Sequence, residues 1–163
     1  MEFTYTVSVD SVKLGAKKHY WHRYKGSFVR SSVIMLALVI LGAFQISQSA
    51  RFGFLCLFVG LFGWLFHFIR VWRWPHKTAA MVFHKDQDPK PIKIKCDDSG
   101  LFVDSQNSSG HTKWDAFYEV VVLEEGILLY ISKALHMWIP VEAEFAEGDW
   151  NELCSLLEDK VVK

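Results

Sequence analysis

His111 stands four residues before Asp115, with Ser108 and Ser109 just ahead of it. A hydroxyl, an imidazole and a carboxylate are the parts of a hydrolytic relay, in which the base takes the hydroxyl proton and the acid orients the base. A relay needs those groups placed in space, however, and these crowd one polar turn at residues 106–110, so we read them as turn polarity. Asp86, Asp88, Asp97, Asp98 and Asp104 could hold a divalent cation if strands gathered them. At hairpin tips the same residues are simply solvated. His19 and His22 lie three apart on a helix and could share a metal. No third or fourth ligand is near in sequence, and both fit an interfacial aromatic cluster. His67 interrupts an apolar run and could sense protons, although a bond to interfacial water or a neighbouring carbonyl is the simpler expectation. No nucleophile elbow, zincin pair, phosphate loop or dinucleotide turn occurs. These residues lead us to expect a protein that is not an enzyme and that uses no metal and no cofactor.

The charge of the chain is divided between its halves. Residues 1–77 carry ten Lys and Arg against Glu2 and Asp10, whereas residues 78–163 carry eight Lys against sixteen Asp and Glu. The basic half suits anionic lipid, and the acidic half opposes phosphate backbones, so nucleic acid is not an expected partner. A length of 163 residues leaves room for a small domain plus an anchor. Cys56, Cys96 and Cys154 are far apart and odd in number, which predicts reduced thiols rather than a disulfide framework. The polar opening Met1-Glu2-Phe3-Thr4 does not read as a cleavable signal peptide.

Twenty uncharged residues separate Arg30 from Arg51, and eighteen separate Arg51 from Arg70. As helices these stretches would cover about 30 Å and 27 Å, close to the thickness of a bilayer core. From residue 52 to 69 only His67 is markedly polar, so the polar face that a soluble core helix keeps cannot be drawn. The expectation is a transmembrane helical hairpin over residues 31–74, turned at Ser47-Gln48-Ser49 and ended by Pro75. Lys17, Lys18, Arg23, Lys25 and Arg30 precede the spans, Arg70, Arg73 and Lys77 follow them, and only Arg51 lies between. That bias predicts a multi-pass protein with both termini cytoplasmic. Arg30, Arg70, Trp72, Arg73 and Trp74 are the expected membrane-interface residues, and the lipid bilayer is the first expected partner. Gly42, Gly53, Gly60 and Gly63 are suited either to packing of the hairpin on itself or to oligomer formation.

Ahead of the spans, Phe3, Tyr5, Val7 and Val9 alternate with polar residues as a strand does. Asp10 and Ser11 offer a helix cap, and Val12, Ala16, Tyr20 and Tyr24 then recur every fourth residue beside Lys13, Lys17 and Lys18. Residues 1–30 therefore read as a strand followed by a short basic helix at the membrane surface. The strand has no local partner and is expected to pair with the carboxy-terminal domain. That domain, residues 78–163, reads as about six short antiparallel strands beginning with the apolar run at 79–83. Turns are expected at Asp97-Asp98-Ser99-Gly100 and Glu124-Glu125-Gly126, and a strand over 135–139 is closed by Pro140. A helix opening at Gly148-Asp149 places Trp150, Leu153, Cys154, Leu156 and Leu157 on one face. The sum is a small curved sheet or partial barrel capped by a helix.

Asp98-Ser99-Gly100-Leu101, Lys113-Trp114-Asp115, Ile127-Leu128-Leu129-Tyr130, Trp138-Ile139-Pro140 and Phe145, preceded by two spans, resemble the YcxB-like membrane proteins of bacteria over nearly the whole chain. The resemblance implies an α+β membrane protein of the bacterial inner membrane, in which a two-helix hairpin carries a pleckstrin-homology-like domain. It implies no defined biochemical role. It also implies basic residues after the Ile-Pro pair, where this chain has Val141-Glu142-Ala143-Glu144, so no anion is expected at that corner. The expected function is non-enzymatic binding of a protein partner, or of a fellow subunit in a homo-oligomer, by the acidic cytosolic domain. Trp114, Trp138 and exposed strand edges are the expected surfaces. A second expectation is an immunity protein neutralising a membrane-active toxin, which a neighbouring toxin reading frame and rescue from that toxin would favour. A third is an enzyme acting on lipid or peptide through His111 and Asp115.

Overall fold

The alternation at the start of the chain forms β1 (Glu2–Val7), and the helix that follows starts earlier than Asp10. The Ser8 hydroxyl accepts a hydrogen bond from the Ser11 N–H at 3.1 Å, so Ser8 is the cap and α1 runs Val9–Gln45. This corrects the expected cap at Asp10-Ser11. In the computed structural model the described residues are 1–46, 50–82, 90–105 and 108–161. The further elements are α2 (Ala50–Val82), β2 (Lys90–Asp97), β3 (Gly100–Ser105), β4 (Ser108–Lys113), a 3₁₀ turn at Trp114–Ala116, β5 (Glu119–Leu123), β6 (Gly126–Tyr130), β7 (His136–Pro140), β8 (Glu144–Glu147) and α3 (Trp150–Val161). They fall into two units, one formed by Met1–Gly15 with Phe83–Lys163 and the other by Ala16–Val82.

In the first unit, an antiparallel five-stranded sheet has the order β4-β3-β2-β1-β8, and a three-stranded sheet has the order β5-β6-β7. β1 finds its partners in the carboxy-terminal part as expected, with Phe3 opposite Ile94 on β2 and Phe145 on β8. Among the described residues, seven strands, β2 to β8, form in the carboxy-terminal part instead of about six. Ser108 and Ser109, read as turn residues, pair with β3, and Glu144–Glu147, unread because it is half acidic, pairs with β1. The run at residues 79–82 is helical and continues α2. Pro140 lies inside β7 as its last paired residue, opposite Gly126. The described strands form two sheets rather than a closed barrel.

The core lies between the sheets and α3. Phe3, Ile94, Leu101, Ile127, Leu129, Ile139, Leu153 and Leu157 meet there, fully buried. α3 begins at Asp149, whose carboxylate accepts from the Glu152 N–H at 2.9 Å. The preceding Gly148 has φ +86°, a conformation that costs a glycine little. As expected, α3 turns Leu153 and Leu157 into the core, with Trp150, Cys154 and Leu156 packed beside them. β6 is buried along its whole length. Its alternate residues Leu128 and Tyr130 pack away from the main core, with Trp138, Val121, Leu123 and Leu14 of α1. The first residues of α1 therefore cover the outer face of the small sheet, which explains why residues 127–130 are continuously apolar.

Two buried groups give measurable consequences. Burial pushes the Cys96 thiol up to about 11, so its thiolate is scarce at pH 8. Cys96 is expected to resist maleimide until the unit unfolds, while the half-buried Cys154 labels first; mass spectrometry after a timed pulse reads both. Burial likewise pushes the Tyr5 phenol up to about 12. A raised folded value leaves stability intact below pH 10, the ordinary phenol range, and removes it as pH climbs toward 12, because only the unfolded chain ionises freely there. By pH 12 the loss from this group is roughly 2 kcal/mol. Urea midpoints of the detergent-solubilised chain are expected to fall between pH 10 and 12, and to fall less in Tyr5→Phe.

In the second unit, α1 from Ala16 onward packs antiparallel against α2. A Cβ built on Gly42 would lie 2.7 Å from the Leu57 backbone nitrogen, and one on Gly60 would lie 2.7 Å from the Val39 side chain. The glycines thus serve packing of the hairpin on itself. Its expected turn at Ser47-Gln48-Ser49 lies outside the described residues. The expected surface helix and first span form one continuous helix, α1. Pro75 does not end α2, because one missing N–H interrupts a single ladder bond while the turn beyond is held by Thr78, whose hydroxyl donates to the Trp74 carbonyl at 3.1 Å. His67 on α2 faces α1. It bonds the Ser31 hydroxyl at 3.1 Å and stacks on Phe28. Ser31 in turn donates to the Phe28 carbonyl, which leaves the His67 Nε2 as donor. Both helices are long and apolar enough to cross a membrane, and large apolar side chains such as Phe44, Phe58 and Phe66 are exposed along them.

Candidate binding site

Where β1 passes into α1, the first unit holds a cavity of about 420 Å³. Its walls are Thr4, Tyr5 and Thr6 of β1, the cap Ser8, Asp10, Ser11 and Leu14 of α1, and Trp138, Pro140, Glu142 and Glu144 at and after β7. Register explains the gap. The Met1 amine donates to the Cys96 carbonyl, and the Cys96 N–H donates to Met1. That two-way pair sets the antiparallel alternation, so Phe3, Tyr5 and Val7 turn their backbone groups toward β2 while Glu2, Thr4 and Thr6 turn theirs the other way. β8 is short and pairs only with Glu2, Phe3 and Thr4. The Thr6 backbone therefore faces the cavity with no described strand beside it.

Three carboxylates, Asp10, Glu142 and Glu144, line this opening, and no Lys or Arg does. Lys13 reaches Asp10 at 3.4 Å from outside. Trp138 forms the apolar wall and is held from two sides. A Cβ on Gly15 would fall 2.7 Å from its Cγ, and a Cβ on Gly126 would fall 2.6 Å from its six-membered ring. The indole N–H of Trp138 is buried with no hydrogen-bond partner among the described residues. Hydroxyls, carboxylates and an open strand edge beside an indole suit a cationic side chain carried on an extended backbone.

The two tryptophans expected at a partner surface are not brought together. Trp114 is buried in the main core against Phe117, and its indole donates to the Asp97 carbonyl at 2.8 Å. Trp138 belongs to the second cluster and lines the cavity. Arg30 is exposed on α1. Arg70, Arg73 and Trp74 share one hollow on α2 with Lys77, while Trp72 is exposed outside it.

His111 stacks on Phe102 with ring centroids 4.0 Å apart and approaches Ser99 at 3.4 Å. Ser99 spends its proton on Asp97 at 2.6 Å, and its backbone N–H bonds the same carboxylate at 2.8 Å. These bonds hold the Asp97 carboxyl below the usual carboxylate range. The Asp97 carboxylate is thus on the hydroxyl rather than on the imidazole, and Asp97 and Ser99 close the β2–β3 turn. Asp86 and Asp88 lie outside the described residues, and among those described no group of three His, Cys, Asp or Glu could hold a metal ion.

Residues 96–157 match the family described as YcxB-like protein. The chain carries a YcxB-like domain. The match runs from the end of β2 to Leu157 in α3, so it is narrower than the resemblance over nearly the whole sequence. It contains Trp138, Glu142 and Glu144, while Asp10 and the β1 edge come from outside it. No curated protein and no solved structure matches the chain. The cavity thus joins residues of the matched stretch to residues of β1 and the first turns of α1. Sequence reading missed Asp10, Glu142 and Glu144; the one available signal was the acidic run after Ile139-Pro140.

Proposed function

We propose that the chain is a non-enzymatic, multi-pass protein of the bacterial inner membrane whose YcxB-like domain binds a protein partner through a basic side chain. The cavity at Asp10, Glu142, Glu144 and Trp138 carries this reading, because its charge and open strand edge favour a lysine or arginine on an extended segment. Membrane insertion is supported by two long helices with exposed apolar side chains. Both termini on one side is supported by sheet pairing. β1 and β2 are neighbours, so the chain leaving at Ser8 must return by Lys90, which requires an even number of crossings. The basic bias around the spans makes that side cytoplasmic. A five-stranded sheet, a three-stranded sheet and a closing helix support the pleckstrin-homology-like reading of the domain.

A photo-crosslinking residue at position 142, in the full chain expressed in its native cells, tests the reading. We expect one dominant adduct, joined beside a lysine or arginine of the partner, that disappears when Asp10 and Glu144 become Asn and Gln while protein abundance holds. Adducts that persist in that variant would sink the assignment. An adduct to a second copy of this chain would make the partner a fellow subunit.

A further inference from the structure

Arg70, Arg73 and Lys77 are spaced by three and four residues, which puts them on one stripe of α2, and Phe66 extends that stripe four residues toward the apolar end. With Ile69 and Trp74 they line a hollow of about 470 Å³ that, among the described residues, contains no carboxylate. The order along the helix is apolar first and cationic last. From Arg70 to Lys77 the helix rises about 10 Å, enough to cross a headgroup layer of about 5–8 Å. Guanidinium groups match phosphate oxygens in a fixed fork, and a tryptophan ring suits the level where headgroup meets chain.

We propose that this face binds one anionic phospholipid, with the headgroup phosphate on Arg70, Arg73 and Lys77 and the acyl chains lying along Phe66 and Ile69. The assignment rests on the bilayer reading above and adds to it one retained lipid at one place, where basic flanking residues attract anionic lipid only as a population. A zwitterionic lipid offers the same chains but cancels the charge, so the preference for an anionic headgroup is the signature.

The test uses the full chain in detergent, loaded with phosphatidylglycerol or phosphatidylcholine and examined by native mass spectrometry. Wild type is expected to retain one phosphatidylglycerol in preference to phosphatidylcholine. The variant R70Q/R73Q/K77Q is expected to bind it about 100-fold more weakly, near fivefold for each cation removed. K113Q/K133Q removes two exposed cations of the sheet unit that do not line the hollow and is expected to bind as wild type does. Equal loss in both variants, or none in the first, would overturn the site. Displacement by excess inorganic phosphate would also overturn it, since the occupant would then be the free ion, and so would retention of an acidic protein in place of lipid. Co-flotation with phosphatidylcholine vesicles separates the two layers of the argument. A chain that floats but shows no preference for phosphatidylglycerol refutes the lipid site alone, whereas a chain that does not float refutes the bilayer reading and the lipid site together.

Discussion

Trp138→Ala is expected to lower the stability of the sheet unit by about 3–5 kcal/mol, the range for removing a large buried aromatic. Trp138 is 9% exposed and fills the space between the start of α1 and the turn-proximal end of β6. Its contacts at Gly15 and Gly126 are too close for either neighbour to carry a side chain, so no nearby group can collapse into the void. Trp138→Phe should cost much less. It keeps most of the ring and discards an indole N–H that is buried without a described partner, a group that itself costs about 1–3 kcal/mol to bury unbonded. Urea denaturation of the detergent-solubilised chain, followed by the near-ultraviolet signal, orders the two variants. Equal destabilisation by Ala and Phe would mean that the indole nitrogen has a partner after all.

The second large effect lies in the helical pair and depends on what each glycine faces. Gly42→Ala would press a Cβ to 2.7 Å from the Leu57 backbone nitrogen and 2.8 Å from the Gly53 carbonyl, neither of which can swing aside. The helices must separate, at a cost of roughly 1–3 kcal/mol. Gly63→Ala meets the sulfur of Met35, a flexible side chain that can move, and should be nearly neutral. Gly26→Ala meets nothing within 4 Å and should gain about 0.5–1 kcal/mol from helix propensity. Thermal aggregation in one detergent is therefore expected to rank Gly26→Ala above wild type, Gly63→Ala level with it and Gly42→Ala well below. Loss in all three would show that the glycines are needed for something other than close approach.

The contrast between these sites marks what the sequence could convey. Long uncharged runs, the Asp97-to-Gly100 turn and the face of α3 are local patterns, and each was legible because its period or turn chemistry lies within one element. β8 was not, because Glu144 and Glu147 carry the composition of a loop and the strand exists only through its pairing with β1. Pro75 misled for a related reason: a rule for helix interiors yields when neighbouring groups hold the turn beyond it. The cavity was the least legible feature. Asp10 read as a cap and Glu142 as a departure from a family pattern, and only the sheet brings them to one opening. A residue whose role depends on distant partners leaves no periodic trace of that role.

The place of β1 between β2 and β8 also sets an order of synthesis. Residues 2–7 are made before both long helices, yet the strands that flank them are made only after those helices are complete. Until then the segment has an unsatisfied edge on each side, a template for mispairing with other chains. The five-stranded sheet can close only when the chain has run through both helices and returned, so β1 between β2 and β8 records that both helices were completed first.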